Sequence, residues 1–158
     1  MIFLTVGTLF GFDRLVRAVD EAIAEGSITD TVFAQIGPGS YTPREMDHVV
    51  YLEKEEFDET FHRCEGMISH AGMGNISLAL KQEKPLLVVP RLRRYGEHVN
   101  DHQYETAYKF EKLGHIVVAY DEREIPEKLR MLKGFVPRPR VPNRLRVVER
   151  VKRFLSSE

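Results

Sequence analysis

The sequence predicts an α/β domain on a doubly wound parallel sheet, and three observations carry that reading. Short β-rich apolar runs alternate with segments of helical period. The runs are continuously apolar, as strands covered by helices on both faces are. Glycine-bearing loops follow several of them, at the sheet edge where ligands bind in such folds.

The first strand is read over residues 2–6, and the first helix starts at Asp13. Leu15, Val16, Val19 and Ile23 share one face of that helix, and Gly26 stops it. Strands follow at 32–36 and 49–52, then a helix over 55–64 with Phe57 and Phe61 four residues apart. A strand at 67–69 leads into a short apolar stripe at 76–80. Beyond a strand at 86–89, a helix over 99–113 sets Val99, Ala107, Phe110 and Leu113 near one side, and Gly114 and a sixth strand at 116–119 follow. Residues 1–135 make up the ligand-binding domain. Three prolines make 136–142 an extended connector, and 143–158 is read as an amphipathic basic helix capped by Asn143.

At 158 residues the chain is long enough for one domain and too short for two nucleotide-binding lobes. With 42% hydrophobic and 30% charged residues and a net charge of -1, it is neither a disordered nor a membrane-spanning composition, and the total gives no pointer to nucleic acid. The apolar start is interrupted by Gly7 and Asp13 without a basic region before it, so it reads as a strand rather than a signal peptide. A single cysteine, Cys64, fits a reducing compartment, and a cytosolic location is expected. Between Arg130 and Arg153, nine Arg or Lys residues stand against one acid, Glu149. This cationic tail is a solvated face, a membrane contact or a partner-docking helix.

Three loops should converge at one sheet edge: Gly7-Thr8, Gly37-Pro38-Gly39-Ser40, and His70-Ala71-Gly72-Met73-Gly74-Asn75. In the third, Gly72 and Gly74 carry no Cβ to keep an anion off the backbone, and the helix that follows offers unpaired N–H groups, so a diphosphate is the expected guest. The pattern is neither GxGxxG nor GxxxxGK[ST]. A second constellation supplies cations from Arg91, Arg93 and Arg94, and hydrogen-bonding groups from Glu97, His98, Asn100, Asp101, His102 and Gln103, a set suited to a hydroxyl-rich ligand. Asn100 or Asp101 equally serves as a helix cap. His98 and His102 lack a third metal ligand at a telling spacing, and no Asp-x-Asp pair is present to hold a metal-bound diphosphate, so no metal cofactor is expected. Ser69 and His70 are adjacent on a strand and cannot form a dyad. His70 is the one candidate for a catalytic base, and its alternatives are ligand contact or fixing the turn.

Val6-Gly7-Thr8, Gln35-Ile36-Gly37, His70-Ala71-Gly72-Met73-Gly74, the run from Lys84 to Arg91, and Glu97-His98-Val99-Asn100-Asp101-His102-Gln103 together resemble the Rossmann-like C-terminal, donor-binding half of GT-B glycosyltransferases of the family 28 type. The similarity extends to about Ala119 and is closest to the soluble subunits of two-component UDP-sugar transferases that build lipid-linked glycans and exopolysaccharides. The resemblance implies a UDP-sugar donor with its diphosphate at His70 to Asn75, Gly7 and Thr8 lining the cleft, and Glu97, His98 and Gln103 near the sugar. It also implies a membrane-anchored partner chain that brings the acceptor and the base and recruits this chain to the cytoplasmic membrane face, with inversion at the anomeric carbon. Where relatives carry an acid for the ribose, this chain has Leu78. Either Glu97 or backbone groups take that role, or the chain chiefly stabilises its partner.

Overall fold

A computed structural model describes residues 1–139 and residue 154. Six strands form one wholly parallel sheet: β1 (Ile2–Thr5), β2 (Val32–Gln35), β3 (Asp47–Val49), β4 (Gly66–His70), β5 (Leu86–Val89) and β6 (Val117–Val118). They are ordered β3-β2-β1-β4-β5-β6. The chain therefore winds outward from β1 to β3, then restarts on the other side of β1 with β4. Such a reversal opens a crevice between the loops that leave the two central strands. Here β1 and β4 run in register from Ile2↔Gly66 to Thr5↔Ser69, so the loops at Gly7 and His70 leave the sheet side by side.

Five helices cover the two faces: α1 (Asp13–Ala24), α2 (Lys54–Arg63), α3 (Met73–Lys81), α4 (His102–Lys112) and α5 (Ile125–Leu132). One core layer joins Leu4, Ile68 and Leu87 to Leu15, Val16 and Val19 of α1 and Ile125, Leu129 and Leu132 of α5. The other joins Phe3, Met67 and Val88 to Phe61 of α2, Ile76 and Leu80 of α3 and Ala107 of α4. Successive strand residues thus feed opposite cores, which is why the strands carry no polar alternation.

Several boundaries differ from the sequence expectation. The third strand lies at Asp47–Val49, not 49–52, because pairing with Phe33 to Gln35 on this sheet edge sets its register. The Gln35 Oε1 then accepts the Leu52 N–H at 3.2 Å and pins the chain as it leaves. The third helix begins at Met73, three residues before its apolar stripe. The fourth begins at His102 rather than Val99, since the left-handed turn at Gly96 and the inward pull on Glu97 hold 97–101 in a loop. Val99 and Leu113 are consequently exposed, and Gln103 and Ala107 form the buried face. Helix α5 was unassigned from sequence, although Ile125, Leu129 and Leu132 follow i, i+4, i+7 spacing and Pro126 suits a first turn. The expected helix at 143–158, its cationic face and residues 140–142 of the connector lie outside the described residues, apart from Phe154. At the start of that connector, Arg138 is tied back, its N–H donating to Gly114 O and its carbonyl 2.7 Å from the His115 Nδ1.

One buried carboxylate organises the loop after β2. Asp20 of α1 accepts from the Tyr41 hydroxyl at 2.7 Å and from the backbone N–H groups of Arg44 and Glu45. Burial raises its pKa, but these hydrogen bonds outweigh burial and hold it below the ordinary carboxylate value. The stabilisation is present above about pH 4 and disappears as pH falls through the lowered pKa. Asp20→Asn should therefore cost about 2 kcal/mol near neutral pH. In urea unfolding, the gap to the parent protein should narrow progressively as pH falls below about 4, and a gap that does not change with pH would refute this role.

Candidate functional site

The crevice at the β1–β4 junction is held by a short polar chain. The Ser69 hydroxyl donates to Thr5 O at 2.8 Å, and Asn75 Nδ2 donates to Ser69 Oγ at 2.6 Å, tying the first turn of α3 to the sheet edge. Gln35 Nε2 lies 3.3 Å from Thr5 Oγ1 and 3.4 Å from Gly7 O, bracing the neighbouring loop. Asn75 and Gln35 thus serve to build the crevice.

Gln103 joins the two loops on the other side. Its Oε1 accepts the N–H groups of Ala71 (3.2 Å) and Arg91 (3.1 Å), which fixes the amide orientation and turns Nε2 toward His70 Nδ1 at 3.3 Å. With Nδ1 accepting, the imidazole proton resides on Nε2. Burial, then the nearby Arg91 charge, lowers the His70 pKa to about 4 despite the Gln103 bond. The ring is neutral at pH 7 and presents a donor on the Gly7 side. Held this way it suits contact with an anion better than it suits a base, which needs a free lone pair.

Two glycines make room for that ring. A Cβ on Gly72 would lie 2.2 Å from His70 Cε1, and one on Gly7, where φ is +81°, would lie 3.2 Å from Nε2. Gly72 is also the N-cap of α3 and supplies no side-chain cap. The first turn carries no acid, and around Gly74 no atom lies within 4 Å of an added Cβ. The result is an open helix start with its partial positive charge and N–H groups toward solvent beside the His70 loop.

Gly7, Thr8, His70, Arg91, His98 and Gln103 line one cavity of about 300 Å³, together with Val6, Leu9 and Phe10. The structure therefore brings six of the expected residues together. His98 sits at its edge, packed against the rings of Phe10 and His102. Arg91 is 2% exposed and lies under the loop instead of in open solvent. Ala71 is buried and Met73 half-exposed in the turn that carries Gly72 and Gly74.

Two expected residues are placed elsewhere. Gly37 packs behind the first loop, its Cβ position 2.9 Å from Val6 Cγ2 and 3.0 Å from Gly7 O. Glu97 is gripped by Arg14, Nε to Oε1 at 2.7 Å and Nη2 to Oε2 at 3.0 Å, and it also accepts the Leu92 N–H. This pair lines a separate cavity of about 460 Å³ with Asp13, Ser40 and Tyr95. Arg14 and Asp20 were not singled out from sequence. Their only signal was a charge near the apolar face of the first helix. In the loop before α4, Asp101 Oδ1 accepts the Arg93 N–H and Asn100 Oδ1 accepts the His102 N–H, so both acceptors serve the local turn. Among the described residues, no group of three or more His, Cys, Asp or Glu side chains is placed to hold a metal ion.

Because the unfolded state takes up a proton at about pH 6.5 and the folded His70 only at about 4, stability should fall between those values by about 3 kcal/mol and level off below. His70→Gln should remove that slope from denaturant titrations across the range. Gly72→Ala has an allowed backbone but drives a methyl into the ring, so the imidazole should leave Gln103 and titrate near its ordinary value, read from its Cε1 proton by NMR. An unchanged titration would show that the ring is not wedged.

Comparison with known proteins identifies the family and the fold. The Glycosyltransferase family 28 C-terminal domain matches residues 1–133. The UDP-N-acetylglucosamine transferase subunit ALG13 of Mus musculus is 32% identical over 123 residues, covering 72% of this chain and 10% of that protein. The Homo sapiens protein of the same name is 32% identical over 124 residues, covering 73% and 10%. The chain thus spans about a tenth of the length of these curated relatives. Among solved structures, Acinetobacter baumannii MurG superposes with a TM-score of 0.61 at 16% identity over 85% of this chain and 42% of that one. The glycotransferase of kitacinnamycin gives 0.61 at 17% identity over 84% and 34%. The sheet order, the crevice and the family match lead to one conclusion: the chain belongs to the glycosyltransferase family 28 C-terminal domain family and has the fold of one GT-B lobe.

Proposed function

We propose that this chain is the donor-binding subunit of a two-component glycosyltransferase that moves a hexose or N-acetylhexosamine from a UDP-sugar to a lipid-linked acceptor. The observation that carries the reading is the uncapped start of α3, open at Gly74 and flanked by the His70 ring. A diphosphate set there meets helix N–H groups and the Nε2–H donor, and needs no metal. Its relatives are named as subunits of a UDP-N-acetylglucosamine transferase, which supports both a nucleotide-sugar donor and a second chain.

In this reading the acceptor hydroxyl attacks the anomeric carbon directly, and the bond to the UDP oxygen breaks with its electron pair. Charge that builds on the departing diphosphate is stabilised by the α3 start and His70, and the anomeric configuration inverts. The acceptor's proton passes to a base on the partner, since the Nδ1 of His70 is engaged by Gln103. The partner supplies membrane attachment at the cytoplasmic face. No helix among the described residues is long and apolar enough to cross a membrane.

One observation favours a second reading. Leu78 packs half-buried against the second core layer, where the resemblance expects an acid for the ribose. A chain that has lost donor affinity and only stabilises its partner fits that residue.

Calorimetric titration with UDP and UDP-sugars decides between the two. The Cβ of an aspartate at Gly74 meets no atom within 4 Å and an acid suits a helix start, so Gly74→Asp should leave the melting temperature unchanged or slightly raised. It should weaken UDP binding about a hundredfold, by placing a negative charge where the diphosphate rests. Absence of UDP binding with the partner present would favour the stabilising role.

A further inference from the structure

Arg91 is an unusual buried cation. Its Nη2 donates to Val6 O and Phe10 O, both at 2.8 Å, so the guanidinium straps down the loop that follows β1. Its planar face lies over the Phe12 ring at 4.9 Å. Nε and Nη1 are buried with no hydrogen-bond partner among the described residues, although charged donors are rarely left so. The acid acting on it is Glu97, and that carboxylate is already matched by Arg14 in a two-pronged bridge. No salt bridge reaches Arg91 among the described residues. Its charge reaches the cavity nonetheless: it adds to burial in lowering the pKa of His70, and to burial and His102 in lowering that of His98, the other titratable groups of that wall.

We propose that Arg91 is a positioning residue for an anion in the 300 Å³ cavity: it shapes the loop at residues 6–10, and its uncancelled charge makes the cavity select ligands by their phosphate groups. The identity of that ligand as a nucleoside diphosphate rests on the donor reading above. Arg91 acts through the loop and through its field, being too buried to grip the ligand as an open side chain would. The counter-charge absent among the described residues arrives with the ligand.

The test compares pyrophosphate, UDP and uridine binding to the full chain and to Arg91→Met and Arg91→Lys, with melting temperatures alongside. Arg91→Met removes a buried charge that has no salt-bridge partner among the described residues but leaves Val6 O and Phe10 O without their donor, so a lowered melting temperature is expected and binding is compared well below it. The variant should bind pyrophosphate and UDP at least about tenfold more weakly, with a shallower salt dependence, while uridine binding is unchanged. Arg91→Lys should recover most of the affinity. If Arg91→Met does not fold, Arg91→Gln, which keeps donors without charge, takes its place with the same expectation. Equal loss for uridine and UDP, full UDP affinity in the uncharged variant, or a lysine variant as weak as the uncharged one would overturn the proposal, as would a parent chain that binds neither anion. A parent that binds pyrophosphate but not UDP would leave Arg91 in this role and remove the donor reading.

Discussion

The Gln103 amide links three segments that sequence order leaves apart. One oxygen accepts the N–H of Ala71, just beyond β4, and that of Arg91, just beyond β5, while its nitrogen turns to His70. Because the oxygen is fully engaged by backbone donors, the amide has only one orientation that leaves no buried group unsatisfied. That orientation sets the imidazole tautomer, and the tautomer decides that the cavity meets a proton. The loops exposing Gly72 and Gly74 inherit their positions from the same contact. A residue that reads in the sequence as a sugar ligand is, in the folded chain, also a strut that joins these loops while lining the cavity.

Charge is distributed over the sheet edge by the same logic of pairing. Arg14 and Glu97 cancel each other beside the larger cavity, with Glu122 and the Pro90 carbonyl completing the arginine's bonds. In the smaller cavity Arg91 has no salt-bridge partner among the described residues, His70 is kept neutral, and the positive end of α3 lies close in sequence and space to the His70 turn. Opposite electrical characters therefore adjoin: a pocket lined by residues 11–14, where Asp13 and Glu97 outnumber Arg14, and one lined by residues 6–10, where Arg91 is the charged group. An anionic ligand has reason to choose the second.

Much of this architecture was legible from residue order. Continuous apolar runs such as Leu86 to Val89 cannot be surface strands, and glycines after Val6, Ile36 and His70 mark chain turns at strand ends. Edges were less legible where tertiary contacts overrule local pattern. Val99 completes an apolar period, yet it is exposed because Glu97 is drawn to an arginine 83 positions earlier. The third strand slid to Asp47–Val49 because its register belongs to its neighbour β2. Helix α5 has a readable i, i+4, i+7 spacing, but it is short and the prolines that follow it are the stronger local signal.

Residue order alone thus determined the strand and helix alternation, the two-sided burial of the sheet and the glycine loop that opens α3, since each depends on neighbours within a few positions. Tertiary structure alone decided which polar side chains are spent and which remain open. Glu97, Gln103 and Arg91 carry similar promise in the sequence, but the first is paired with Arg14, the oxygen of the second is engaged by two backbone amides, and the third keeps two donors without a partner among the described residues. Hydrogen-bond capacity is a finite quantity assigned in space, and partners up to 108 residues apart compete for it, so no local pattern records the outcome.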